Sequence, residues 1–221
     1  MFHELIQRIR KQREPLTLHL NLASPERTQP LAQASSKVAK ELDRSRIPLP
    51  DPVLSPILLA ARWVSNDLRN EDMPGIAADL LEAGYDSPTL VRLAGEMEIY
   101  GSSEADGLIG KVFQELGVLW PLDEVQAKLL ATRQIAREVI AGARDPYRAA
   151  SHIEVSLWGW HPATKELGEL FGLNDESSLD AEYRRDELVI LGDQLEVFAR
   201  LAGLTDEQIV VETSKATQSD V

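Results

Sequence analysis

The sequence predicts an all-α protein, a multi-helix bundle of about seven helices with an N-terminal arm that holds a short helix and a possible lone strand at 16–22. Apolar residues recur at three- and four-residue spacing from residue 57 to residue 202, the period of helices with one buried face. Glycine, an N-cap residue and proline punctuate those periods in the order that helix ends require. A chain of 221 residues that is 43% apolar and 27% charged has the composition of a globular protein and can bury a core. Three regions follow: a basic arm over 1–50, an acidic helical domain over 51–204, and a short capped helix with a polar tail over 205–221.

In the arm, Phe2, Leu5, Ile6 and Ile9 form an apolar seam at helical spacing among Arg8, Arg10, Lys11 and Arg13. Leu16, Leu18, Leu20 and Leu22 then alternate with Thr17, His19 and Asn21, the pattern of a half-buried strand. A lone strand needs a partner, so either a homo-oligomer formed through residues 16–22 or a local hairpin is an expectation. "SSKVAKELDRSR" reads as helix, and the prolines of "IPLPDPVLSP" mark a stiff boundary.

The helical domain begins with Ile57, Ala61, Val64 and Leu68 on one face of a helix. Val125, Leu129, Ala136 and Val139 repeat that spacing. Leu188, Leu191, Leu195, Phe198 and Ala202 make a coiled-coil-like seam in what reads as the longest helix. Gly84 with Ser87 and Pro88, and Gly142 with Asp145 and Pro146, spell the same helix stop followed by the same helix start. "LTDEQI" is a capping box from Thr205 to Gln208, with Leu204 and Ile209 as its hydrophobic staple.

Charge and composition limit the function. The net charge of −13 divides into +4 over residues 1–50 and −17 over the remainder. Such a body repels nucleic acid and attracts basic partners. Cysteine is absent, which excludes disulfides, thiolate metal sites and cysteine nucleophiles. "MFHELIQRIRKQREPL" interleaves charges with its apolar residues, unlike a signal peptide, and no uncharged run reaches bilayer length. The expectation is a cytoplasmic protein without a membrane segment.

"SHIEVSLWGWHP", residues 151–162, is the stretch that most resembles a site. As a helix it buries Ala150, Ile153 and Leu157 and sends His152 and Glu154 to opposite sides, about 200° apart. As a strand it aligns His152, Glu154 and Ser156 on one face, where His19 could complete a zinc constellation. The Asp145–Pro146 start favours the helix. Neither a metal nor a cofactor is expected. Trp63, Tyr147, Trp158 and Trp160 are the candidate anchors for a protein partner.

Other motifs fall short. "ADGLIGKV" has Ala105 and Val112 where a phosphate loop needs glycine and a hydroxyl. Residues 76–97 have a helix-turn-helix layout, yet the second helix offers Arg92 beside Glu96 and Glu98, poor chemistry for DNA. Glu166 with Glu169 and Glu182 with Asp186 could hold Mg²⁺ in a nucleotide hydrolase, but the second pair lacks the three-residue spacing. A DNA-binding regulator and a metal-dependent nucleotide hydrolase are therefore the alternatives to a non-enzymatic interaction protein.

"AARWVSNDLRN", "LLEAGYDSPTLVRLAG", "ELG" and "IAREVIAGARDPYRAASHI" together resemble a group of short all-helical bacterial proteins of actinobacterial type and unknown function. The resemblance spans roughly residues 55 to 202 and rests on helix and turn placement. It implies an all-helical fold, no established activity and no catalytic residues to carry over. Small acidic proteins of this kind look like immunity factors that neutralise a toxin, which implies a basic protein as partner.

Overall fold

The computed structural model describes residues 48–96, 102–180, 182–183 and 185–219. Its described residues form nine α-helices and no strand, so the expected bundle is present with more helices than the seven read from the sequence. They are α1 (Pro56–Val64), α2 (Met73–Glu82), α3 (Pro88–Gly95), α4 (Ser102–Glu115) and α5 (Glu124–Ile140). After them come α6 (Pro146–Ser151), α7 (Lys165–Ser178), α8 (Glu187–Ala202) and α9 (Asp206–Ser219). The seam at Phe2–Ile9, the strand at 16–22 with its oligomer contact, and His19 lie outside the described residues. No helix among the described residues is long and apolar enough to cross a membrane.

Helix α5 is the axis of the bundle, packed against α1, α6, α8 and α9. That position explains its burial: Ala127, Leu129, Ala131, Ile135, Ala136 and Val139 are covered on several sides, not along one face. The face expected from Val125 and its helical neighbours is therefore too narrow a description. At 17 residues α5 is also longer than α8 with 16, which corrects the expected longest helix.

Two other seams differ from the sequence reading. In α1 the buried residues are Leu58, Leu59, Ala60 and Ala61; Ile57 is exposed and Leu68 lies beyond the helix end. In α8 the seam from Leu191 to Ala202 is buried, but Leu188 is exposed, while Ile190 in the same first turn is fully buried. Helix α9 runs to Ser219, so most of the expected polar tail is helical.

The helix punctuation follows the expected chemistry. Gly84 at φ +93° and Gly142 at φ +78° supply the left-handed turn that a side chain resists. The Tyr85 N–H then reaches Leu80 O at 3.1 Å, and the Ala143 N–H reaches Glu138 O at 2.8 Å. These bonds close the helix ends in the same way twice. Ser87 Oγ accepts from Leu90 N–H, and the Asp145 carboxylate accepts from Arg148 N–H, each starting a helix with proline in its first turn. Thr205 and Gln208 form the reciprocal capping box of α9, with Ile209 buried beneath it.

Candidate functional site

Polar side chains penetrate the core along α5. Arg137 Nη1 donates to Asp51 Oδ2 at 3.0 Å and its Nε donates to Ala202 O at 3.2 Å. One turn earlier, Arg133 Nη1 donates to Asp206 Oδ1 at 2.6 Å and to Leu204 O at 3.2 Å. Gln134 accepts from Asp51 N–H and donates to Asp51 O. The segment before α1 and the α8–α9 joint are thus fastened to one helix.

Beside this network lies a cleft of about 180 Å³ lined by Arg62, Asp67, Gln134, Glu138 and Arg144 over an apolar floor of Leu58, Ala131 and Ile135. Arg62 Nε donates to Asp67 Oδ2 at 2.7 Å, and Arg144 Nη1 to Glu138 Oε2 at 3.4 Å. His152 Nε2 faces Asp67 Oδ1 at 3.4 Å. Burial pushes the Asp67 carboxyl up, but the N–H groups of His152 and Arg62 outweigh it and hold the carboxyl below its ordinary value. Both cations of the cleft face a carboxylate, and each carboxylate has a second neighbour, His152 for Asp67 and Gln134 for Glu138. Among the described residues no three His, Asp or Glu side chains converge as a metal site.

Residues 151–158 are helical. From His152 to Leu157 the helix widens to a π turn, in which the Trp158 N–H bonds to Ile153 O, five residues back, at 3.0 Å. His152 points to Asp67, whereas Glu154 turns into the core, only 1% exposed, and accepts from Asn174 Nδ2 at 2.5 Å. The opposed directions of His152 and Glu154 follow the helical reading. Burial raises the Glu154 pKa; the Asn174 amide counters this in part and the nearby Asp175 charge adds to it.

The four expected anchors are placed differently. Trp158 is buried, and its indole N–H donates to Thr132 Oγ1 at 3.0 Å. Trp63 packs against Phe113 and Trp120 and donates to Asn70 Oδ1 at 3.0 Å. Trp158 lies in the core, whereas Trp63 is half-buried and packs against its edge. Tyr147 is half-buried, with its hydroxyl 3.4 Å from Glu187 O. Trp160 is 58% exposed and sits at φ +70°, a strained position for an aromatic residue.

A surface that the sequence reading missed lies where α7 turns into α8. Leu179, Tyr183, Leu188 and Val189 are exposed there, Tyr183 by 72%. Asp180, Glu182 and Asp186 stand among them, also exposed. Arg185 fastens the connection: it donates to both Glu176 carboxylate oxygens, at 2.8 and 2.7 Å, and to Asp193 Oδ2 at 2.7 Å. These bonds raise the Arg185 pKa and lower that of Glu176. Leu179 and Tyr183 before the N-cap Asp186, and Leu188 and Val189 just after it, were the sequence signal for this surface.

The alternative motifs acquire structural roles. Residues 105–112 lie within α4, with Ile109 and Val112 buried, so the would-be phosphate loop is a helix. Helices α2 and α3 pack through Ala77, Ala78, Leu80, Leu90 and Leu93. Arg92 on α3 pairs with Glu96 at 3.5 Å. Glu169 is paired with Arg200, and Asp186 caps α8 by accepting from Leu188 N–H. No family model, no curated protein and no solved structure matches the chain.

Proposed function

We propose that this chain is a non-enzymatic protein-binding module, of the immunity or antitoxin kind, acting in the cytoplasm on a basic protein partner. The observation that carries this reading is the fate of the cations. Arg62, Arg133, Arg137, Arg144, Arg185 and Arg200 each lie within ion-pair distance of a carboxylate of the same chain. With these cations matched internally, the field outside the molecule is set by its surplus of acids, −17 beyond residue 50. A field of that sign speeds encounter with a basic protein and opposes nucleic acid. Of the four aromatic anchors, Trp160, Trp63 and Tyr147 keep surface for a partner, and Trp160 holds a strained backbone while doing so.

Affinity capture of the full chain from its native host tests the reading. A basic protein recovered in stoichiometric amount at low salt, and released by about 0.5 M salt, is the expected result. Recovery of the chain without a basic protein at low salt overturns it. A gene for a toxin beside this one would specify the immunity role.

A further inference from the structure

We propose that the cleft between α1 and α5 binds a small zwitterion, an α-amino acid with a short apolar side chain. The site is independent of the partner-binding reading above, and its lining lies wholly among the described residues. The floor is apolar, Leu58 from α1 with Ala131 and Ile135 from α5. At about 180 Å³ the cleft falls below the range of about 300–1,000 Å³ that takes drug-sized ligands. It suits one amino acid rather than a peptide or a nucleotide. Charges of both signs line it in equal number, Arg62 and Arg144 against Asp67 and Glu138. The neighbouring pairs Arg137–Asp51 and Arg133–Asp206 also cancel, and His152 faces Asp67. A bare anion therefore meets two carboxylates and a bare cation meets two guanidiniums, whereas a ligand carrying both charges avoids either repulsion.

The Glu138–Arg144 pair is the one that opens. Its separation is 3.4 Å, against 2.7 Å for Arg62 and Asp67, and both its side chains are about a third exposed. Among the described residues Arg144 donates through Nη1 alone, which leaves Nε and Nη2 for a carboxylate. Glu138 keeps Gln134 Nε2 at 3.2 Å on its other oxygen, so it stays in place when Arg144 turns to the ligand. An α-amino acid carries its two charges side by side, as a parted ion pair requires: the carboxylate goes to Arg144 and the ammonium to Glu138. Its side chain then covers Leu58, Ala131 and Ile135, and burial of apolar area favours an aliphatic one. Asp67 keeps its own partners, Arg62 and His152.

The probe is L-leucine, titrated into the full chain at low salt and followed by calorimetry and by backbone amide NMR shifts. It should bind with a Kd of about 1 mM or tighter and move the amides of Leu58, Gln134, Glu138 and Arg144. Isocaproate, which lacks the ammonium, and isoamylamine, which lacks the carboxylate, should each bind at least about tenfold more weakly. Glycine, without the aliphatic side chain, should also bind at least about tenfold more weakly. Arg144→Ala should abolish the preference for leucine over isoamylamine, and Glu138→Gln the preference over isocaproate. Both positions reach solvent, so both variants should melt as the parent does.

Absence of leucine binding overturns the proposal, including the case in which another part of the full chain already fills the cleft. Equal binding of leucine and its analogues, amide shifts confined to other regions, or unchanged preferences in the two variants overturn it as well. Should a variant fail to fold, the analogue series on the parent decides alone. None of these readouts involves the basic partner, so the two proposals fail separately.

Discussion

Glu154 faces Asn174 in the core with a proton affinity raised by burial. The folded protein therefore keeps the Glu154 proton to a higher pH than the unfolded chain does. Between the ordinary glutamate value and the raised one, the unfolded chain has already released that proton, so the Glu154 contribution to stability falls as pH rises. Glu154→Gln, which keeps the oxygen that accepts from Asn174, should flatten stability over that window and make the protein more stable at neutral pH. Urea midpoints of parent and variant from pH 4 to pH 8 should converge at the acid end and separate above it. A constant difference would show that Glu154 does not titrate there. Gln194 presents the uncharged version of the same problem: it is fully buried, and neither amide atom has a hydrogen-bond partner among the described residues. Gln194→Met removes a desolvated amide at nearly constant volume and should raise stability by about 1–2 kcal/mol in denaturant unfolding. A loss of stability would mean that the amide is satisfied in solution.

Among the helices, two glycines predict opposite outcomes for the same substitution. A Cβ at Gly110 of α4 would stand 2.5 Å from Trp120 Nε1, and Trp120 is backed by Trp63 and Phe113 at ring distances of 5.7 and 5.5 Å. Gly110→Ala should be destabilising by about 1–3 kcal/mol, because overpacking outweighs the helix propensity gained. Gly192 of α8 has nothing within 4 Å of its would-be Cβ, so Gly192→Ala should stabilise by up to about 1 kcal/mol. Thermal melts of the two variants on opposite sides of the parent test the pair. The α8 periodicity was legible in the sequence, but the Trp120 approach to Gly110 was not, since it depends on how the α4–α5 connection folds back. Glu154 shows a middle case. It lies four residues after Ala150 and three before Leu157, on the apolar stripe, so its burial was readable while its partner on α7 was not. Arg133 and Arg137 likewise continue the stripe of Leu129, and their burial follows from the central place of α5, which no single helix reveals. The candidate site was less legible than the fold, because the sequence seam starts at Leu188 whereas the buried face of α8 starts at Ile190, which leaves Leu188 and Val189 exposed.

At the scale of the whole molecule the net charge of −13 acts against the fold that displays it. Like charges on a compact body repel, and the unfolded chain relieves this by expanding. The exposed ion pairs oppose that effect weakly, at about 0–1 kcal/mol each, while Arg133 and Arg137 hold Asp206 and Asp51 at 2.6 and 3.0 Å, contacts far shorter than the Debye length although both carboxylates reach solvent. Salt thus weakens the repulsion more than it weakens the attractions that hold α5 to its neighbours. Raising NaCl from about 0.01 M to about 0.5 M shortens the Debye length from about 30 Å to a few ångströms. The urea midpoint should therefore rise over that range. A falling midpoint would show that surface pairs outweigh the acidic excess and would weaken the account of the external field. Partner binding must respond in the opposite direction, because the same screening removes the attraction for a basic protein. Salt that stabilises the isolated chain while releasing its partner separates electrostatic recognition from unfolding, since loss of the fold would move both observables together.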